Sequence, residues 1–251
     1  MQKDLSILSI NIGHGMLLDD LLVYVKSKMD SVPVFCFQEA DGAARPLLDA
    51  LLLSKYTASD AEKDAGVEFF SLATYVRRDY AVNETKTVLA NLAGAGLALI
   101  STIEIAPEAY VSVVNVHGHP RPGHKLDTPV RIAQSQAIIK STTANDCMNV
   151  IVGDFNLLPN TLSIEMFAQN GYKNLIDEFN IPTTRNEIAW RKYPNNKQLF
   201  ADYAFVQDDD SLRYDFAVED VDVSDHLPLL LTVGVTIPTV SIAARSLPAS
   251  V

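Results

Sequence analysis

Met148-Asn149-Val150-Ile151-Val152-Gly153-Asp154-Phe155-Asn156 is the stretch from which the chain is best read. A largely apolar run ends in Gly-Asp-Phe-Asn, which predicts a buried strand that gives way to a loop. Side chains on a strand alternate, so Asp154 and Asn156 are expected to point the same way. A carboxylate that takes a proton from water, beside an amide that holds an oxygen, suits hydrolysis. Asp and Asn are also ordinary turn residues after a strand, so the tetrad needs support from elsewhere in the chain.

Five other places supply it. Ser9-Ile10-Asn11 ends an apolar strand that starts near Leu5. Phe35-Cys36-Phe37-Gln38-Glu39 ends a second, beginning at Val34. Val113-Val114-Asn115-Val116-His117 ends a third. Ala201-Asp202-Tyr203-Ala204-Phe205 opens a late strand, and Ser224-Asp225-His226-Leu227-Pro228 precedes the last apolar run.

In this order and spacing, from Leu5 to Val235, the motifs resemble the endonuclease/exonuclease/phosphatase superfamily. The resemblance implies a four-layer α/β/β/α sandwich, with two packed mixed sheets flanked by helices. It also implies a metal-dependent phosphoesterase that uses Asn11, Glu39, Asp154 and Asn156. Arg131-Ile132-Ala133-Gln134 is similar to the Arg-x-x-Gln helix of many members, and Asn11-Ile12-Gly13-His14-Gly15 to the start of bacterial ones. Gly96-Leu97-Ala98-Leu99-Ile100-Ser101 resembles the central Gly-x-Ala-x-x-Ser strand but departs from it. Leu97 stands where a polar residue is usual, and Thr102 where a basic one is.

The bulk numbers agree with one large α/β domain. The 251 residues are 48% hydrophobic and 20% charged, an ordinary globular balance. We expect a single catalytic domain over 1–235 and a tail over 236–251. Cys36 and Cys147 lie in or beside apolar runs and read as buried thiols, which fits a reducing compartment. Met1 to Ile10 lacks a secretory pattern, and no run reaches the ~18 apolar residues of a membrane helix. A cytoplasmic enzyme without a membrane span is therefore expected. Nothing in the sequence sets the oligomeric state.

A net charge of −11 argues against bulk, sequence-blind binding to duplex DNA, which calls for a basic footprint. Local charge runs the other way. Arg185, Arg191, Lys192 and Lys197 face only Glu187 between Thr183 and Phe200, and His119, Arg121, His124 and Lys125 cluster after His117. A basic rim around an acidic site is expected.

Hydrophobic spacing predicts helices over Met16–Met29, Ala44–Leu53 and Pro129–Ser141, the last with Ile132, Gln136 and Ile139 on a mixed face. Another begins near Thr161. Val67 to Ile105 reads as strands, with turns at Asn83-Glu84 and Ala93–Gly96. Leu212–Val221 and Leu227–Val235 read as the closing strands.

Phosphoester hydrolysis needs a cation, an aligned water, a proton acceptor and donors for the phosphoryl oxygens. Glu39 is the candidate ligand for Mg²⁺, with Mn²⁺ as the alternative, and Asn11 and Asp225 stand near that metal. Asp154 is the candidate base, and Asn156 orients the water or a phosphoryl oxygen. His226 backed by Asp202 acts as a phosphate clamp or as a general base. His117, through the superfamily's Asn-x-His pattern, donates to a phosphate oxygen, with Asn115 pointing the same way. No zinc pattern is present.

Trp190 and Tyr193 interleave with Arg191 and Lys192, so Trp190 and Arg191 are candidate contacts for a nucleic acid. A small or lipid-derived phosphoester is the competing substrate. A silent binding module is the third reading, but Asn11, Glu39, His117, Asp154, Asn156, Asp202, Asp225 and His226 are all chemically competent.

Overall fold

A computed structural model describes residues 2–66, 68–144, 147–191, 193–209 and 212–237. In chain order the strands and helices are β1 (Gln2–Asn11), α1 (Leu18–Lys28), β2 (Val34–Gln38), α2 (Ala44–Leu52), β3 (Tyr56–Asp64) and β4 (Phe69–Arg77). Then come β5 (Ala81–Val88), β6 (Leu97–Ala106), β7 (Ala109–His117), α3 (Pro129–Thr143), β8 (Met148–Asp154) and α4 (Leu162–Gln169). The last are β9 (Tyr172–Asn174), α5 (Leu175–Glu178), α6 (Glu187–Trp190), β10 (Asp202–Gln207), β11 (Arg213–Val218) and β12 (Leu229–Thr236).

The strands form two mixed six-stranded sheets, β11-β12-β1-β2-β4-β3 and β5-β6-β7-β8-β10-β9. Each contains one parallel pair, β1 with β2 and β7 with β8, and each pair is joined through a helix. Alternation then sorts the side chains. Leu5 and Ile7 of β1 and Val34 and Cys36 of β2 join the core between the sheets. Leu8, Ile10, Phe35 and Phe37 point the other way, into the layer under α1 and α2. Burying both faces is what the apolar runs of β2, β7 and β8 require.

Several local expectations change. Asn83-Glu84 is no turn; it lies inside β5 at a bulge where the pairing with β6 shifts between Val82 and Glu84. The chain turns at Arg77–Tyr80 instead, passing from one sheet to the other. β3 was not legible because Tyr-Thr-Ala-Ser-Asp-Ala-Glu-Lys-Asp is polar and half-exposed. It forms as an edge strand by pairing along its whole length with β4. On α3 the buried stripe is Arg131, Gln134, Ser135, Ile138, Ile139 and Thr142, whereas Gln136 is exposed. Cys36 is buried, but Cys147 only half so. Of the expected tail, 238–251 lies outside the described residues. Among the described residues no helix is long and apolar enough to cross a membrane.

Candidate active site

The site gathers where strand ends meet at one edge of the gap between the sheets. Register fixes the row on one side: His117 pairs with Asp154, and Asp154 with Asp202. Asn11, at the end of β1, faces them from the other sheet and pairs with Gln38. Gly153 permits the close approach of β7 and β8. Its φ is +136°, and a Cβ there would lie 2.1 Å from the Val116 carbonyl oxygen.

Asp154 Oδ2 is the hub. Asn11 Nδ2 donates to it at 3.0 Å and Asn156 Nδ2 at 3.2 Å. His226 Nε2 lies 3.8 Å away and His117 Nε2 4.0 Å away. Asn156 reaches this point by a turn, not by strand alternation. β8 ends at Asp154, Asn156 has φ +53°, and its backbone N–H donates to Asp154 Oδ1 at 2.8 Å. Burial alone would push the Asp154 carboxyl up. The charges of His226, Lys125 and His117 and the Asn11 hydrogen bond outweigh burial and bring it down to about 2.

His226 Nδ1 lies 2.9 Å from both carboxylate oxygens of Asp202, which orients the ring with Nε2 toward Asp154. Burial would lower the imidazole pKa, but Asp202, Asp154 and Asp225 together raise it. Burial raises the Asp202 carboxyl against the pull of His226. Asp225 is engaged elsewhere, because Arg185 pairs with its Oδ2 at 2.5 Å.

Glu39 is half-buried at the mouth, with φ +56°, a backbone state that costs a non-glycine residue about 1 kcal/mol or more. The same Asn11 amide nitrogen donates to Glu39 Oε1 at 3.0 Å, so one side chain clamps two carboxylates. The Asn11 oxygen accepts from Gly13 N at 3.0 Å. His14 Nε2 stands 3.2 Å from Glu39 Oε2.

The remaining candidates lie apart from this cluster. Asn115 is fully buried, and its amide ties the sheets together, donating to Phe37 O, Ala73 O and Thr74 Oγ1 and accepting from Gln38 Nε2 at 2.6 Å. It shares a face with His117 but lies deeper in the gap, which corrects the expectation of a substrate contact. Trp190 and exposed Arg191 are on the rim, in or just after α6.

Sequence reasoning placed Lys125 on the basic rim; the structure buries it. Its ammonium donates to Asn156 Oδ1 at 2.7 Å, and burial lowers its pKa. No local pattern separates it from its exposed neighbour His124. The loop is held by Arg131, whose buried guanidinium donates to the carbonyls of His119, Pro122 and Leu126. Gln134 Oε1 accepts from Gly96 N and His119 N. The Arg-x-x-Gln helix thus positions the two loops beside the site.

Two groupings offer a divalent ion its ligands. Asp154, Asp202 and His226 present atoms within 4.8 Å of one another. Both Asp202 oxygens already face His226 Nδ1, however, and binding there would break that pair. The second grouping is Glu39 with Asp154, two carboxylates held side by side by Asn11. Four carboxylates (Glu39, Asp154, Asp202, Asp225) outnumber the two basic side chains among them, Lys125 and Arg185, so the site's charge favours a further cation. Hard oxygen donors of this kind fit magnesium or manganese.

The family model described as Endonuclease/Exonuclease/phosphatase family matches residues 8–226. No curated protein sequence matches. A Bacteroides thetaiotaomicron protein of the same family superposes with a TM-score of 0.72 at 16% identity, covering 94% of this chain and 100% of that one. The mannosyl-6-phosphatase of the same organism gives 0.65 at 14%, covering 91% and 99%. The human Nocturnin catalytic domain with bound sulfate gives 0.66 at 16%, covering 94% and 98%.

Proposed function

This chain belongs to the endonuclease/exonuclease/phosphatase family, an enzyme family of phosphoesterases and nucleases, and on that premise we propose a magnesium-dependent phosphoesterase that cleaves by in-line attack on phosphorus of a water whose proton Asp154 accepts. Residues 1–235 form its catalytic domain. The observation that carries this reading is the convergence on Asp154 Oδ2 of Asn11, Asn156, His117 and His226.

Glu39 would hold the magnesium ion, or manganese in its place, with Asp154 beside it. When bound, that ion neutralises charge developing on the phosphoryl oxygens. Asp154, ionised over the whole neutral range, accepts the proton of the attacking water. The Asn11 and Asn156 amides fix the direction of its lone pairs. His226, oriented and made more basic by Asp202, donates from Nε2 to a non-bridging oxygen, and His117 donates to another. Both histidines need only short movements, because their Nε2 atoms already face the hub.

Two substrate readings follow. A nucleic acid would use Trp190 for stacking and Arg191 for phosphate. A small phosphoester is favoured by the state of the rim cations. Arg185 pairs with Asp225, Arg121 with Glu68, Lys197 sits over the Trp190 ring, and Lys125 is buried. Among the described residues this leaves exposed Arg191 and the still-charged Lys197 as the free positive charge on the rim, little to track a polyanion.

The test is phosphoester cleavage with Mg²⁺ or EDTA on two panels: labelled single-stranded, duplex and RNA oligonucleotides, and nucleotide and sugar phosphates. Asp154→Asn serves as the contamination control. We expect Mg²⁺-dependent turnover by the wild type alone. A folded wild type that turns over neither panel would overturn the proposal and leave a binding module.

A further inference from the structure

A cavity of about 390 Å³ opens between Gly123 and the 185–198 segment, lined also by Arg185, Trp190, Tyr193, Asn196 and Gln198. Its walls are continuous with the catalytic cluster on both sides. Gly123 belongs to the loop that carries Lys125 onto Asn156. Arg185 forms a β-bridge with His226 and ion-pairs with Asp225. The cavity is thus bounded by the two segments that carry Lys125 and His226 into the cluster.

The cavity is built, not incidental. Asn186 anchors the segment to the stretch bearing Asp225 and His226, donating to Asp222 Oδ1 at 2.9 Å and Ser224 O at 2.7 Å. Gln198 Nε2 closes the opposite wall by donating to Gly123 O at 2.7 Å. Trp190 lines this cavity and also a second hollow. Lys197, which lines only that second hollow, stands 5.5 Å from the ring centroid. Arg185 Nε is buried and has no hydrogen-bond partner.

Size and lining select the occupant. Pockets for small ligands run to roughly 300–1,000 Å³, so this one is near the low end and takes one ring system. An aromatic wall stacks on a flat or sugar ring. Amides at Asn196 and Gln198 pair with polar ring edges. A lipid chain would leave these groups without partners.

We propose that this cavity holds the non-reacting part of the substrate, a single polar-edged ring of nucleoside or monosaccharide size carried on the phosphoryl group. The proposal rests on the phosphoesterase reading for its chemistry, yet occupancy can be read without turnover. Trp190 is the chain's only tryptophan, so intrinsic fluorescence reports on this cavity directly.

The experiment titrates Asp154→Asn, in Mg²⁺, with adenosine 5′-monophosphate, glucose 6-phosphate, inorganic phosphate and a duplex oligonucleotide while Trp190 emission is followed. A saturable change is expected with at least one ring phosphate and none with inorganic phosphate; which ring gives it names the source. Steady-state kinetics then compare wild type with Trp190→Ala and the conservative Trp190→Phe on the ring ester that binds. KM should rise at least about fivefold in the alanine variant, the low end for a lost stacking partner. kcat should stay near wild type, and phenylalanine should restore most of the loss. Saturable emission change without turnover would keep the cavity and sink the phosphoesterase reading. Turnover with an unchanged Trp190 signal and an unaltered KM in Trp190→Ala would sink the cavity proposal alone. An emission response to the duplex and to neither ring phosphate would overturn it in favour of a polymer.

Discussion

The strand-end cluster and the loop-borne rim are neighbours, yet they are held in different ways. Asn11, His117, Asp154 and Asp202 are buried on elements whose register leaves them one arrangement. Tyr193 and Arg191, a few residues from the same chemistry, are exposed on a segment with one short helix. Groups fixed by a scaffold stabilise a transition state without reorganising, whereas groups on loops adapt to a substrate. The cluster should therefore govern rate and the rim affinity.

The largest effect is expected at the hub. Asp154→Asn keeps the shape and removes the proton acceptor, so kcat should fall by about 10³-fold or more, near the top of what a positioned base contributes. Circular dichroism and a thermal melt should show an intact fold. Turnover within tenfold of wild type would remove Asp154 as the base. Asp202→Asn should follow, with kcat down by about 10²-fold and KM little altered, because His226 loses the carboxylate that sets its tautomer. A change in KM alone would move His226 out of the transition state.

Lys125 tests the boundary between the two regions. It comes from a rim loop but ends in the cluster. Lys125→Met leaves the Asn156 oxygen without its donor, which costs about 1–3 kcal/mol of stability, and should lower kcat about tenfold as that amide turns. A stability loss with kcat intact would make Lys125 a prop for the loop and nothing more.

How much of this was legible in the sequence follows the same line. The strand-end placing of Asn11, His117 and Asp154 was legible because an apolar run announces a strand and period two its face, whereas the roles expected of them come from the family resemblance. The Asp202–His226 pair was legible from chemistry and order. Asn115 was misplaced because period two gives the face of a strand but not the depth in the gap, and at its depth the amide ties the two sheets together. Lys125 was missed because a loop has no period. Its burial depends on Arg131 gathering carbonyls from residues 119–126, a contact between a helix and a loop that no local pattern encodes. β3 was missed because its pairing with β4, and not its own composition, makes it a strand.

Protonation offers a subtler test of the cluster. The folded-state pKa of His226 is raised above its ordinary value of 6.5, so the folded protein holds that proton more tightly than the unfolded chain does. Its contribution to stability is full below pH 6.5 and is lost as pH rises through the folded value. Asp154 runs the other way. Its folded pKa of about 2 lies below the ordinary value of 3.8, so its contribution is full above that range and is lost as pH falls toward 2. Denaturant unfolding between pH 5 and 9 should show the His226 slope in wild type, and His226→Gln should flatten it. An unchanged slope in the variant would place the titration elsewhere.

The smallest effect is expected at Arg191, and it can break the comparison most cleanly. Arg191 is exposed and lines the second hollow but not the cavity beside the cluster. Substituting an exposed residue of this kind changes stability by no more than about 0.5 kcal/mol, and KM for a single-ring phosphoester should stay within about threefold. A polymer would respond differently. If the rim reads a phosphate backbone, removing one contacting cation lowers the salt dependence of binding by about one in log–log slope. Oligonucleotide binding by wild type and Arg191→Ala across salt concentrations therefore separates the two. Equal slopes leave the rim as the wall of a small-molecule pocket. A slope reduced by about one makes it a backbone track, and the division between rigid chemistry and adaptable recognition would then extend along a strand of nucleic acid.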